Sequence, residues 1–381
     1  MNILVVAFDV LNPNSIGWIH GFQELGHHVS VIVTNESDLS REKLSSLGFY
    51  DDKHSRTPIF QHRSSSETRK EVINLFAAEP DIIFFWEGIG ILPKVKEVAH
   101  LFKNSKKIFC INTYPNCATR LREFLTNQLH RQLDSLIHSY IFYSKEQRKL
   151  FFKAVKQAST KPSMVMIDPF FESAFSSSYK ERVFEDKVLK LHRFDDQPHV
   201  IFTGNARKLW DKPVGHGGKD ALGPFFKDLS QHGVHIFVHE SADLRDIPNL
   251  HTFPTFHNPD LINGSFSRYI SQFDAHLVIY NEHTPTEVRR VSTGLATRFS
   301  YALTATCPIA VTETSIFAKN LWKDCPFGFS FKDIEDLAIF LRDQGRLRML
   351  RSNMEKLHKR FSFEAQVPAL KKFFQETLNV S

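Results

Sequence analysis

The segment Asn2–Phe8, NILVVAF, is apolar at every position but its first, and short runs of the same kind recur along the chain with helical stretches between them. Strands of that texture belong in a parallel sheet covered by helices on both faces, because a strand with one wet face would alternate. After Asn2–Phe8 come a Pro/Asn turn (Asn12-Pro13-Asn14), a helix expected from about Ser15 to a C-cap at Gly26, and a second strand, His28–Val33. A β-turn-α-turn-β opening of just over thirty residues is the start of a doubly wound α/β domain. The unit repeats. Helices are expected around Glu36–Ser46, Glu67–Ala78, Pro93–Phe102, Ala118–Leu136 and Lys145–Gln157, with strands at Asp81–Trp86, Lys107–Ile111, Ser139–Tyr143 and Ser163–Ile167. A loop rich in charge and Ser spans about Gly48–Ser66.

From Phe170 the texture changes. Ser173–Ser178 and the charged stretch after it read as an interdomain linker. The alternation then restarts with strands His199–Thr203, Val234–Val238, Leu250–Phe253, Ala275–Tyr280 and Pro308–Val311 and helices at about Lys219–Gln231, Ser265–Gln272, Lys332–Gln344 and Leu347–Arg360. The last helix, about Phe363–Leu378, carries Phe363, Val367, Leu370, Phe373 and Phe374 on one face, which needs a partner; the N-terminal half is the expected one. The division expected is 1–172, a linker 173–197, 198–360, and a returning helix within 361–381. At 381 residues two domains fit, since single cores stop growing near ~250–300 residues.

Composition limits the setting. No apolar run approaches the ~20 residues of a membrane span, and the N-terminus lacks a basic n-region and soon meets Asp9, so it reads as a first core strand. Four cysteines, Cys110, Cys117, Cys307 and Cys325, fall at no metal-ligand spacing, which points to reduced thiols in a cytoplasmic protein. A net charge of +6 fits anionic partners, whether nucleotide phosphates, anionic headgroups or nucleic acid, and equally a mildly basic surface. Lys94, Lys96, Lys103, Lys106 and Lys107 form a cluster suited to peripheral contact with the inner face of an anionic membrane, or to a solvated helix face.

The stretch Ser292–Val311, STGLATRFSYALTATCPIAV, concentrates the chemistry. It reads as a glycine-containing turn, a helix and a β-branched strand from Pro308. Ser292, Thr293 and Gly294 can leave backbone N–H groups free at the helix start, and Arg298 adds a permanent cation able to fork onto phosphate oxygens. A pyrophosphate cradle follows; an ordinary capped helix has the same local pattern.

Two doubly wound halves facing across a cleft suit an enzyme holding one ligand on each. Here the sequence resembles the GT-B glycosyltransferases, most of all the retaining family 4 branch. Gly26-His27-His28-Val29 is similar to that branch's Gly-His-x-Val, and Pro80-Asp81-Ile82-Ile83 to its Pro-Asp-hydrophobic strand start. Tyr143-Ser144-Lys145-Glu146 resembles the Ser-x-x step after a later strand, and Tyr269–Tyr280 the segment of helix, Asp and apolar strand. Arg298–Val311 resembles the Lys, helix, Gly-x-Pro, strand pattern, with Thr306 where the Gly would stand. The family's two glutamates, eight positions apart, are replaced by Thr293 and Tyr301. Tyr301 can bond one ribose hydroxyl but is no paired charged acceptor. Glu282 and Glu287, just upstream, are alternative carboxylates or plain loop residues.

The resemblance implies a GT-B fold, an NDP-sugar donor with a UDP-sugar most expected, no metal requirement and no tightly bound cofactor. It implies that Arg207 and Lys212, in the loop opened by Gly204 after the strand His199–Thr203, neutralise the donor diphosphate. Negative charge grows on the leaving phosphate, and preorganised cations lower that barrier. Phe253 lies at the strand end where a nucleobase would rest. In the first half Gly17 remains of a glycine-rich loop, and Asn112 follows a strand at the acceptor side. A retaining enzyme can let the departing phosphate take the acceptor proton; an inverting one needs a base, for which Glu87 and His20 are the candidates, the one equally an exposed loop carboxylate and the other a packing or surface histidine. The function expected is transfer of a sugar to a glycan, lipid-linked or small-molecule acceptor, as in polysaccharide biosynthesis. A phage-type DNA-base glucosyltransferase and a non-catalytic GT-B module remain open.

Overall fold

The computed structural model describes residues 1–7, 13–33, 59–61, 65–86, 92–111, 114, 120–171, 195–204, 206, 209–210, 221–256, 260, 264–280, 282, 285–293 and 298–380. Among them two sheets form, both parallel throughout. The first holds β1 (Asn2–Ala7), β2 (His28–Val33), β3 (Ile59–Gln61), β4 (Ile82–Trp86), β5 (Lys106–Ile111), β6 (Ser139–Phe142) and β7 (Ser163–Val165), in the order β3-β2-β1-β4-β5-β6-β7. The second holds β8 (His199–Phe202), β9 (His235–His239), β10 (Leu250–Phe253), β11 (Ala275–Leu277), β12 (Ile309–Thr312) and β13 (Gly328–Phe331), in the order β10-β9-β8-β11-β12-β13. Each order reverses beside its first strand, opening a crevice at the carboxyl ends of β1 and β4 and of β8 and β11.

Burial explains the texture of the strands. Ile3 pairs with Val29 on one side and Ile82 on the other, and Ile3 through Ala7 are all at 0% exposure. The helices are α1 (Pro13–Glu24), α2 (Ser65–Phe76), α3 (Leu92–Leu101), α4 (Arg120–Asp134), α5 (Lys145–Ala154), α6 (Gly223–Gln231) and α7 (Ser265–Ile270). They continue with α8 (Pro285–Thr293), α9 (Arg298–Thr304), α10 (Ile316–Leu321), α11 (Ile334–Arg342), α12 (Gln344–Phe361) and α13 (Phe363–Leu378). Gly26 caps α1 at φ 76°, with its N–H on Gln23 O at 2.9 Å, the C-cap that the sequence predicts.

Four elements depart from the sequence reading. β3, β13, α8 and α10 are present where loops are expected. β3 has three residues in a Ser-rich stretch, too few for a period to show. α8 occupies what reads in the sequence as a polar loop with a proline; Pro285 stands at the first helical position, where its missing N–H costs nothing. The helix expected at Glu36–Ser46 lies outside the described residues.

α13 lies on the first sheet. Phe363 N–H donates to Phe170 O at 2.7 Å, Thr377 Oγ1 bonds Ser139 Oγ at 2.9 Å, and Phe374 meets Phe22 at 5.9 Å between ring centroids. One apolar cluster runs from Ile3, Phe22 and Phe84 through these residues to Phe299, Leu303 and Phe327, so both sheets border the same core.

Thr306 ends α9 with φ 50°, its N–H on Leu303 O at 3.1 Å. That left-handed backbone is the one glycine adopts freely, and a β-branched residue is strained there. The structure thus places Thr306 in the conformation that a glycine at this point of a Gly-x-Pro motif would supply. Thr306→Gly is expected to stabilise the protein by about 1 kcal/mol in urea unfolding, since the relief of strain exceeds the added chain entropy.

Candidate functional site

The crevices of the two sheets face each other through named contacts. Ser144 caps α5 directly after β6, accepting from Gln147 N–H at 2.9 Å, and its hydroxyl donates to Thr293 O, the last residue of α8, at 2.5 Å. Ser300 in α9 donates to Asp168 O, just beyond β7, at 3.3 Å. Arg289 of α8 pairs with Glu123 of α4, and Asn320 Nδ2 donates to Glu146 Oε1 at 2.8 Å. Carboxyl ends of both sheets and the helices that follow them therefore enclose one cleft.

Its second-sheet wall is built round Arg298. The guanidinium is 4% exposed, lies 5.0 Å from the Phe202 ring centroid and 4.4 Å from that of Tyr280, and donates to Leu277 O at 3.4 Å and Ile279 O at 3.2 Å. These carbonyls close β11 at the topological reversal. Among the described residues no carboxylate lies within ion-pair distance, and Nε has no partner. Among the described residues this buried cation is held only by carbonyls and ring faces, with no counter-charge.

Beside it His276 Nε2 shares a hydrogen bond with Thr203 Oγ1 at 2.8 Å. Burial, reinforced by the Arg298 charge, pushes the His276 imidazole down to about 3. In the first half, burial and then the charges of Lys107, Lys106 and Lys161 push His138 down to about 4. Both rings are neutral in the folded protein at pH 7, whereas an unfolded histidine protonates near pH ~6.5. Below that value the unfolded chain binds more protons, so stability is full above pH ~6.5 and falls progressively as pH drops towards about 4 and then 3. Urea midpoints measured from pH 7.5 downwards are expected to decline over that window, and less steeply in His276→Gln.

Gly204 follows β8 and admits no side chain: a Cβ there would sit 2.2 Å from Cζ of the Phe202 ring. That ring is itself fully buried and faces Arg298, so this glycine holds the cation's aromatic neighbour in place.

Several residues predicted from sequence find different surroundings. Ser292 and Thr293 do not open a helix; they close α8, and both hydroxyls turn back to Arg289 O, at 2.8 and 2.9 Å. The next helix starts at Arg298 itself. Phe253 is 4% exposed and packs on Phe266 and Tyr269, in the core rather than open to a base. Tyr301 is half-buried against Phe266 at 5.2 Å, and burial, then the Asp168 charge, raises its phenol pKa. Glu282 is not a plain loop carboxylate, since Thr312 Oγ1 at the end of β12 donates to it at 2.5 Å.

On the first-sheet side, Gly17 lets α1 approach the Asp168–Phe171 segment; a Cβ would lie 2.8 Å from Pro169 O. His20 is half-buried with its ring edge-on to Phe171 at 4.5 Å and Nε2 3.8 Å from Glu24. Arg207, Lys212, Glu87, Gly294 and Asn112 lie outside the described residues. Of the lysine cluster, Lys94 pairs with Glu97 at 3.1 Å, Lys107 donates to Lys103 O at 3.0 Å and Lys106 to Val380 O. No helix among the described residues is long and apolar enough to cross a membrane.

Sequence reasoning passes over a buried hydrogen-bonded set beside the contact of α9 with Asp168. Tyr143, buried at the end of β6, accepts from Trp86 Nε1 at 3.4 Å and donates to Asp168 Oδ1. Burial, then the Asp168 charge, pushes the phenol up. Only an Asp-Pro step after an apolar run marks Asp168 in the sequence.

No family model matches the sequence, and no curated protein matches it. Solved structures do. A glycosyltransferase from Rickettsia africae superposes with TM-score 0.59 at 12% identity, over 100% of this chain and 99% of that one. A complex of S. aureus TarM gives 0.62 at 10% identity over 98% and 99%. A UDP-forming α,α-trehalose-phosphate synthase from Burkholderia xenovorans gives 0.59 at 9% over 99% of both. The fold is GT-B, two Rossmann-like domains facing across a cleft, as the sequence resemblance predicts.

Proposed function

We propose that the protein is a glycosyltransferase that moves a sugar from a nucleoside-diphosphate donor to a hydroxyl of a glycan, lipid-linked or small-molecule acceptor. The observation that carries this reading is the buried Arg298, at the reversal of the second sheet and with no carboxylate partner among the described residues. A diphosphate is the counter-charge such a cation needs, and its arrival in a water-poor site strengthens the attraction. Arg207 and Lys212, which follow β8 in the sequence, are the further cations the family resemblance assigns to the donor phosphates. TarM was solved with UDP and the Burkholderia synthase is UDP-forming, which favours a UDP-sugar here.

In the reaction the bond from the anomeric carbon to the β-phosphate oxygen breaks and one to the acceptor oxygen forms. The acceptor proton passes to the departing phosphate in a retaining, metal-independent course, which the family resemblance favours. Glu282, fixed by Thr312, takes the carboxylate role that Thr293 and Tyr301 cannot. The acceptor belongs to the first half, near Gly17 and His20, and Glu87 and Asn112 are the acceptor-side residues that the sequence offers.

Melting measured against UDP-, GDP-, ADP-, CDP- and dTDP-sugars tests the reading. A donor at a hundredfold its Kd stabilises by about 2.7 kcal/mol and shifts the transition by a few degrees. One nucleotide class is expected to act, with slow release of its diphosphate. If none shifts the protein, the transferase reading fails and a non-catalytic module describes it better.

A further inference from the structure

At the opposite end of the second sheet from the cleft, three histidines of neighbouring strands lie in a row. His199 opens β8, its register partner His235 opens β9, and His251 lies in β10 opposite Phe237. The rings of His199 and His235 stack at 4.6 Å and those of His235 and His251 at 5.1 Å. His199 and His235 are 0% and 5% exposed. Over them sits Asp195, half-exposed, with His235 Nε2 3.3 Å from each carboxylate oxygen. Ligand atoms of Asp195, His199 and His235 all lie within 4.8 Å of one another.

The hydrogen bonds behind these groups sort their nitrogens. His199 Nδ1 meets Gln197 O at 2.7 Å, and a carbonyl only accepts, so Nδ1 carries the proton and Nε2 presents its lone pair. His235 Nδ1 meets His251 Nε2 at 2.9 Å; with Nδ1–H donating there, Nε2 would turn its lone pair to an ion, which would replace the hydrogen bond that Nε2 shares with Asp195 at 3.3 Å. The Gln197 N–H donates to Asp195 Oδ1 at 2.8 Å. A carboxylate and two imidazoles oriented through their far nitrogens have the make-up of a three-ligand transition-metal site with its outer shell.

We propose that Asp195, His199 and His235 bind one divalent metal ion of the zinc class, with His251 and Gln197 O as outer-shell partners and water in the fourth position. Two imidazoles select zinc, cobalt or nickel over the hard cations magnesium and calcium. The 3.3 Å between His235 Nε2 and Asp195 is the edge of a tetrahedron with bonds of about 2.0–2.1 Å. The widest separation, within 4.8 Å, needs to close by at most ~1.5 Å. The ion would clip the segment entering the second half to β8 and β9. It is remote from the transfer chemistry and independent of the function proposed above.

The test uses the full chain stripped with a chelator and dialysed. Zn2+ alone is titrated in competition with a chromophoric chelator, and Co2+ is followed by its visible tetrahedral d–d bands. One equivalent of each is expected at a single site, together with a rise in melting temperature. His251→Phe keeps the ring stack and removes the acceptor, and should weaken binding ~10–100-fold. Asp195→Ala removes a ligand from a half-exposed position and should weaken it at least as much. Both variants are expected to keep the wild-type circular dichroism and the nucleotide-induced melting shift. Absence of uptake by the wild type, or uptake undiminished in Asp195→Ala, overturns the proposal.

Discussion

Arg298→Ala is expected to lower kcat/KM for the donor by roughly 10²–10³, about 3–4 kcal/mol of transition-state stabilisation, and to abolish the nucleotide-induced rise in melting temperature. The guanidinium is buried at the sheet reversal, between Phe202 and Tyr280, where water cannot replace it. The free protein should respond far less. Truncation leaves Leu277 O and Ile279 O without their donor and opens a cavity, which costs stability; it also removes a buried charge without a described counter-ion, which returns some. Had Arg298 been half of a structural ion pair, removing it would cost ~3–5 kcal/mol. Arg298→Lys should rescue little, because an ammonium neither forks onto two oxygens nor lies flat between two rings. A melting shift with donor that persists in Arg298→Ala would remove the central support for the transferase reading.

The largest effect on stability alone is expected at Phe22. Its ring is 0% exposed and lies 5.7 Å from Trp18, 5.0 Å from Phe84 and 5.9 Å from Phe374, joining α1, β4 and α13. Phe22→Ala should cost ~3–5 kcal/mol, from lost transfer energy plus a cavity that three separate elements cannot collapse to fill. Urea unfolding followed by Trp fluorescence would measure it. Phe124→Ala, at a residue 55% exposed on α4, is the control and should stay within ~0.5 kcal/mol. Equal midpoints for the two variants would mean that α13 does not seal this core in solution.

Much of the fold is written locally. Ile3–Ala7 and Ile82–Trp86 are apolar throughout because each is flanked by strands and covered by helices, and that texture survives in the sequence whatever the partner. Gly26 is legible as a cap because a positive φ selects its residue type. The apolar face of α13 is visible in Phe363, Leu370, Phe373 and Phe374. β3 and α8 are not legible: one is too short for a period, and the other begins with a proline that is harmless only at a helix start.

The candidate site divides differently. That Arg298 is a cation, that Gly204 follows a strand and that the two family glutamates are replaced are facts of sequence. That Ser292 and Thr293 spend their hydroxyls on Arg289 O, and that Glu282 is pinned by Thr312, depends on where α8 ends and β12 points. Asp195 and His235 stand 40 positions apart, and His235 and His251 stand 16 apart, so no spacing rule finds them. Parallel strands bring their first residues together only once the sheet is ordered. By itself the sequence determined which segments must be buried and which charges are available, because hydrophobic period and side-chain chemistry are local. The tertiary structure alone decided which of those charges lost its water without gaining a described partner, because desolvation is set by every element that packs against the group.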